Sequence, residues 1–119
     1  MLHARFIRLL LFVKKIITMG LFSLLFGNKS DEIQSFQKEG AIIIDVRTPQ
    51  EYNQGAIKGS KNIPLQIIKS KIGDIQDLKK PIITCCASGM RSANAASILK
   101  SQGIQAINGG GWMSLKNKL

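Results

Sequence analysis

Apolar residues in this chain fall into short unbroken runs, separated by polar segments whose few apolar positions recur at helical spacing. That pattern predicts strands alternating with helices. Ser30 can cap a helix carrying Asp31 and Glu32 in its first turn and Ile33 with Phe36 on one stripe, and Gly40 stops it. Residues 41–44 are continuously apolar and mostly β-branched, which suits a strand covered on both faces. Thr48, Pro49 and Glu51 then spell a capping box with proline at the first helical position, and Gly55 ends that helix. Asn62, Ile63 and Pro64 read as a short extended piece leading into an isoleucine-rich helical segment over 65–72. Residues 82–85 form a second buried strand, a helix is expected from about 92 to 102 before Gly103, and 104–107 make a third strand. Gly109, Gly110 and Gly111 predict a turn before a terminal helix over 112–119. The fold class that follows is α/β, a small parallel sheet with helices on both faces. No internal repeat is present.

Length and composition agree with one globular domain. The 119 residues are 45% hydrophobic and 20% charged, enough for a single core without a metal or disulfide framework. Cys85 and Cys86 are adjacent, so a bridge between them would close almost no loop. The formal net charge is +10, but Arg5, Arg8, Lys14 and Lys15 precede every acid in the chain. The later lysines are scattered without interleaved aromatics, so nucleic acid is not an expected partner.

Residues 1–28 read as a basic and apolar extension, with the true start at Met19, and residues 29–119 as the domain. The uncharged run 16–27 is too short to span a bilayer. Export as a cleaved signal and attachment to a membrane surface are the lesser readings of this stretch. A start at Met19 implies a cytoplasmic protein.

Ligands of open parallel sheets gather beyond the carboxyl ends of the strands, and Cys86 stands at such an end. Residues 86–91 make a short loop containing Gly89 that runs directly into a helix, so its backbone N–H groups can converge on one point. A cysteine there has its pKa lowered from about 8.5 into a range of roughly 3.5 to 7.5 and becomes a nucleophile. Arg91 adds a permanent charge and a fork of donors for an oxyanion. Strand alternation turns Cys85 away from this loop, into a structural position. His3 is the only histidine and lies in the extension, so neither a Cys–His pair nor a histidine-bearing metal cluster is available. Asp45 and Arg47 suggest an acid–base pair, yet nothing in the sequence supplies the raised carboxyl pKa that general acid work requires. Trp112 reads as core.

From about Asp31 to Trp112 the chain resembles a single rhodanese (sulfurtransferase) domain. The resemblance rests on Asp45-Val-Arg47 with Glu51-Tyr52, Gly55-Ala-Ile57-Lys-Gly59, Asn62-Ile-Pro64, Cys86-Ala-Ser-Gly89-Met-Arg91-Ser92 and Gly109-Gly110 with Trp112, in that order. It implies that Cys86 takes a sulfur atom from a donor such as thiosulfate or a persulfide and passes it to cyanide or a thiol, with no metal or organic cofactor. Ala87, Ser88, Gly89, Met90, Arg91 and Ser92 would form the substrate and anion loop, with Met90 at its rim. Asp45 and Arg47 would brace the loop and adjoining helix, with Glu51 as ion partner. The sequence departs from the family at Ala87, where many members carry a basic residue. A cysteine phosphatase or arsenate reductase places five residues between cysteine and arginine, whereas here there are four. A domain that carries persulfide sulfur for a protein partner, without turnover, is the alternative to the enzyme.

Overall fold

The computed structural model of the protein describes residues 29–119. The expected extension over 1–28 and the start at Met19 lie outside the described residues. The elements run α1 (Lys29–Lys38), β1 (Ile42–Asp45), α2 (Pro49–Asn53), β2 (Lys61–Asn62), a 3₁₀ helix (Leu65–Lys71), α3 (Ile72–Asp77), β3 (Ile82–Cys86), α4 (Met90–Ser101), β4 (Ala106–Gly111) and α5 (Trp112–Lys118). Four strands make one parallel sheet in the order β2-β1-β3-β4.

Alternating side chains of the central strands feed two cores. Ile44, Ile82 and Cys86 pack with Ile68, Ile75, Ala95 and Leu99 under the 3₁₀ helix, α3 and α4. Ile83, Cys85 and Ile107 pack with Ile33 of α1 and Leu115 of α5 on the opposite face. Every residue of β3 is buried, as its unbroken apolar run requires of a strand in a sheet covered on both sides.

The Thr48–Glu51 capping box forms as predicted: the Glu51 N–H donates to Thr48 Oγ1 and the Thr48 N–H to Glu51 Oε1. Four features differ from the sequence reading. Ser30 lies inside α1, which already includes Lys29, rather than at its cap. The extended piece starts one residue earlier, with Lys61 and Asn62 making a two-residue edge strand, β2, and the helical segment from 65 continues as α3 to Asp77. The glycines at 109–111 do not turn; they extend β4, so the strand expected over 104–107 runs 106–111 instead. Thr84 pairs with Asn108 but Cys86 with Gly111, so β4 carries one extra residue against β3, and an irregular strand accepts the glycines that suggested a turn. Finally, α4 begins at Met90, two residues earlier than expected, because Gly89 at φ +107° completes the reversal of the chain.

Candidate active site

Cys86 closes β3, and α4 opens four residues later. The first N–H groups of a helix have no partner within it, and backbone donors at this junction point at the sulfur. The Gly89 N–H donates to Cys86 Sγ at 3.0 Å and the Ser92 N–H at 3.4 Å, while Ser92 Oγ lies 3.2 Å away. Burial is the largest single influence on this thiol and opposes its ionisation. The bonds from the Ser92 side chain and from the backbone of Ser92, Gly89 and Ser88 outweigh it, and the Cys86 thiol lies below the ordinary cysteine range. Cys85, fully buried among apolar side chains, is pushed up to about 12 by burial and then by the nearby Asp45 charge, against the effect of Arg47.

Ala87, Ser88 and Met90 are exposed at the mouth of the loop, Met90 with 82% of its surface accessible. Gly111 lets β4 approach this loop closely, since a Cβ there would lie 2.8 Å from the Ala87 carbonyl oxygen. Met90, Arg91 and Ser92 belong to the first turn of α4 rather than to the loop. Arg91 does not turn its fork towards the sulfur: Nη1 and Nη2 donate to the two Glu51 carboxylate oxygens at 2.8 and 3.0 Å. That pair ties α2 to α4. Arg91, aided by the Thr48 backbone N–H, lowers the Glu51 carboxyl to about 2.

Asp45 and Arg47 form a second, buried pair at the end of β1. The guanidinium donates from Nε and Nη2 to the Asp45 carboxylate, the shortest bond being 2.7 Å, and the Arg47 N–H adds another at 3.0 Å. The Asp45 bond raises the Arg47 pKa against burial. The remaining donors reach the carbonyls of Gly55 at 2.7 Å and Glu51 at 3.3 Å, and the guanidinium lies 4.8 Å from the Trp112 ring centre. Asn62 donates to the carbonyls of Asp45 and Arg47, which fastens the same turn to β2. Glu51 thus bonds Arg47 only through its backbone oxygen, while its carboxylate pairs with Arg91 and accepts from Thr48.

Two residues that the sequence reading passed over complete the site. Thr84 Oγ1 donates to the Ser92 carbonyl at 2.7 Å, fixing β3 to the first turn of α4. Asn108 of β4 accepts from Ser92 Oγ at 2.7 Å and donates to the Gly89 carbonyl at 3.1 Å. Thr84 carried a signal, a polar residue inside an apolar strand run, since buried polar groups are found with hydrogen-bond partners, whereas Asn108 lies beyond the run at 104–107 and carried none.

The comparisons with known proteins bear on the domain as a whole. A model of the rhodanese-like domain matches residues 30–118. The thiosulfate sulfurtransferase GlpE of Pseudomonas fluorescens is 32% identical over 83 residues, covering 67% of this chain and 75% of that protein. The human single-domain sulfurtransferase TSTD1 superposes with a TM-score of 0.59 at 28% identity, over 75% of this chain and 93% of its own. The reduced CoADR-RHD of Bacillus anthracis superposes with a TM-score of 0.62 at 36% identity, covering 75% of this chain but 16% of that longer one. With the family model spanning nearly all the described residues and the parallel sheet matching these structures, the chain belongs to the rhodanese-like domain family.

Proposed function

We propose that this protein is a sulfurtransferase that carries sulfur on Cys86. The observation that supports this most is the set of N–H groups, from Gly89 and Ser92, aimed at a sulfur whose thiol is already more acidic than usual. The Cys86 thiolate attacks the sulfane sulfur of thiosulfate; a new S–S bond forms, the old one breaks, and sulfite leaves with its electron pair. The enzyme is left as a persulfide anion. An acceptor thiolate or cyanide then attacks the terminal sulfur and releases the Cys86 thiolate, which gives double-displacement kinetics. Loop amides that stabilise the thiolate would stabilise the persulfide anion in the same way. Asp45, Arg47 and the Glu51–Arg91 pair act in this reading as braces that hold the ends of β1, α2 and α4 in register around the loop.

One observation favours a second reading, a persulfide carrier for a protein partner. Thiosulfate is a dianion, yet the loop carries the uncharged Ala87, and the Arg91 fork is taken by Glu51. A protein or small-molecule persulfide donor would need less positive charge. The proposed location is the cytoplasm; among the described residues no helix is long and apolar enough to cross a membrane.

Non-reducing mass spectrometry after incubation with thiosulfate tests the reading. One added sulfur on the Cys86 peptide, discharged by cyanide or a thiol, supports the enzyme. No added sulfur from thiosulfate, with sulfur taken up from a cysteine persulfide and passed slowly to small thiols, favours the carrier. No sulfur from either donor defeats both.

A further inference from the structure

The Ser92 hydroxyl has one proton and two neighbours that can take it: Asn108 Oδ1 at 2.7 Å and Cys86 Sγ at 3.2 Å from its oxygen. Which of them holds it follows from the Asn108 amide. Asn108 Oδ1 also accepts from the Gly110 N–H at 2.9 Å, and Nδ2 donates to the Gly89 carbonyl at 3.1 Å. Turned over, the amide would set its NH₂ against an N–H and its oxygen against a carbonyl, so the orientation is dictated by its partners. Oδ1 is therefore an acceptor towards Ser92, and the hydroxyl proton is directed at it. What Ser92 then presents to the sulfur is a lone pair. A thiol satisfies that arrangement by donating S–H to Ser92 Oγ, whereas a thiolate faces an acceptor with no proton to share.

We propose that Asn108 is a positioning residue for Cys86 that acts through Ser92: it holds the Ser92 proton while Cys86 is a thiol and competes with the sulfur for that proton when Cys86 becomes an anion. A hydrogen bond to a charged group is roughly twice as strong as a neutral one, so the anion can draw the proton over, at the loss of the Asn108 bond. Each deprotonation of Cys86 is accompanied by a rotation of the Ser92 hydroxyl, and Asn108 sets how readily it occurs. The inference deepens the sulfurtransferase reading and rests on it only for the consequence in turnover.

The other charged or titratable groups around this thiol are Arg91 of α4, held by Glu51 of α2, and Cys85 of β3, itself acted on by Asp45 and Arg47 at the end of β1. They are the same in all the variants that follow. The experiment is the pH dependence of Cys86 alkylation by iodoacetamide in the full chain, with the modified peptide identified by mass spectrometry. Asn108→Ala removes the competing acceptor, and the alkylation midpoint should fall, raising the thiolate fraction below the midpoint about three- to tenfold. Made in a Ser92→Ala background, the same change should move the midpoint no further. Asn108→Asp keeps an acceptor oxygen and should not lower the midpoint. Should alanine loosen the strand, Asn108→Leu keeps the bulk, drops the acceptor and should give the same fall.

A midpoint that stays or rises in Asn108→Ala and Asn108→Leu overturns the inference, as does an equal fall with and without Ser92, or a fall in Asn108→Asp. A purely structural role through the Gly89 tether would raise the midpoint and would not depend on Ser92. Failure of sulfur transfer with the midpoints behaving as expected would defeat the functional reading alone; transfer with unmoved midpoints would defeat this inference alone.

Discussion

Cys85 and Cys86 are joined by one peptide bond on the same strand, and their side chains leave it on opposite faces of the sheet. Cys85 enters the layer beneath α1 and α5, where Ile33, Ile83, Ile107 and Leu115 surround it and the neighbouring Asp45 charge discourages a second anion. Cys86 enters the layer beneath α4, where the helix has just begun and its N–H groups are still available. Both are almost completely buried, at 0% and 1% exposure, so burial does not separate them. Donors do: a buried thiol with directed N–H groups becomes more acidic, and one without becomes inert.

The comparison breaks most sharply if the wrong cysteine is removed. Cys86→Ser should cut sulfur transfer from thiosulfate to cyanide by on the order of 10³-fold or more, with the melting temperature nearly unchanged. Cys85→Ser should leave transfer within a few-fold of the parent. Equal losses in the two would show that the faces are not functionally distinct.

Asp45→Asn tests what keeps Cys85 protonated. It strands the Arg47 guanidinium in a buried position, which costs about 3–5 kcal/mol and lowers the melting temperature by roughly 15 °C or more. In the folded protein it also removes the charge that raises the Cys85 thiol and leaves Arg47 to lower it, so the Cys85 pKa should fall from about 12. Thiol titration followed by ultraviolet absorbance of the thiolate at high pH, alongside thermal denaturation, would show both effects.

Ser92→Ala removes a side-chain donor that the Cys86 thiolate can use, and should raise the thiol midpoint and slow alkylation at neutral pH up to about tenfold. An unchanged alkylation profile would leave the backbone amides as the whole cause of the lowered thiol.

The smallest effect belongs to the ion pair on the outside of the site. Glu51 titrates at about 2 in the folded protein against an ordinary 4.5, so its contribution to stability is fully present above about pH 4.5 and is lost as the pH falls towards 2. Glu51→Gln should therefore melt slightly below the parent at pH 7 and converge on it at the acid end of that window. Because the pair is partly exposed, the difference should also shrink in high salt.

Much of this molecule is legible in its sequence, for identifiable reasons. The continuous runs at 41–44 and 82–85 marked buried parallel strands because no polar alternation interrupts them, and the Thr48–Glu51 box marked a helix start because all its partners lie within four residues. Alternation along β3 sufficed to send Cys85 and Cys86 to different faces, since the side-chain period of a strand is two. The glycines at 109–111 misled because a local turn signal is indistinguishable from a strand that needs close approach, until the neighbouring strand and loop are in place.

Local spacing and period come from the chain alone, and they were enough for the element types, the parallel sheet and the thiol at the strand end. Partner choice was not of that kind. Arg91 has equal chemical reason to face an anion in the loop or the Glu51 carboxylate 40 positions away, and only the folded chain, which brings Glu51 within 2.8 Å of the guanidinium, settles on Glu51. Asn108 meets Ser92 across a distance of 16 positions because β4 lies beside β3 with one residue out of step. Hydrogen bonds and ion pairs are short-range and directional, so which of several suitable partners is taken depends on distances that arise only when the sheet and its helices close around them.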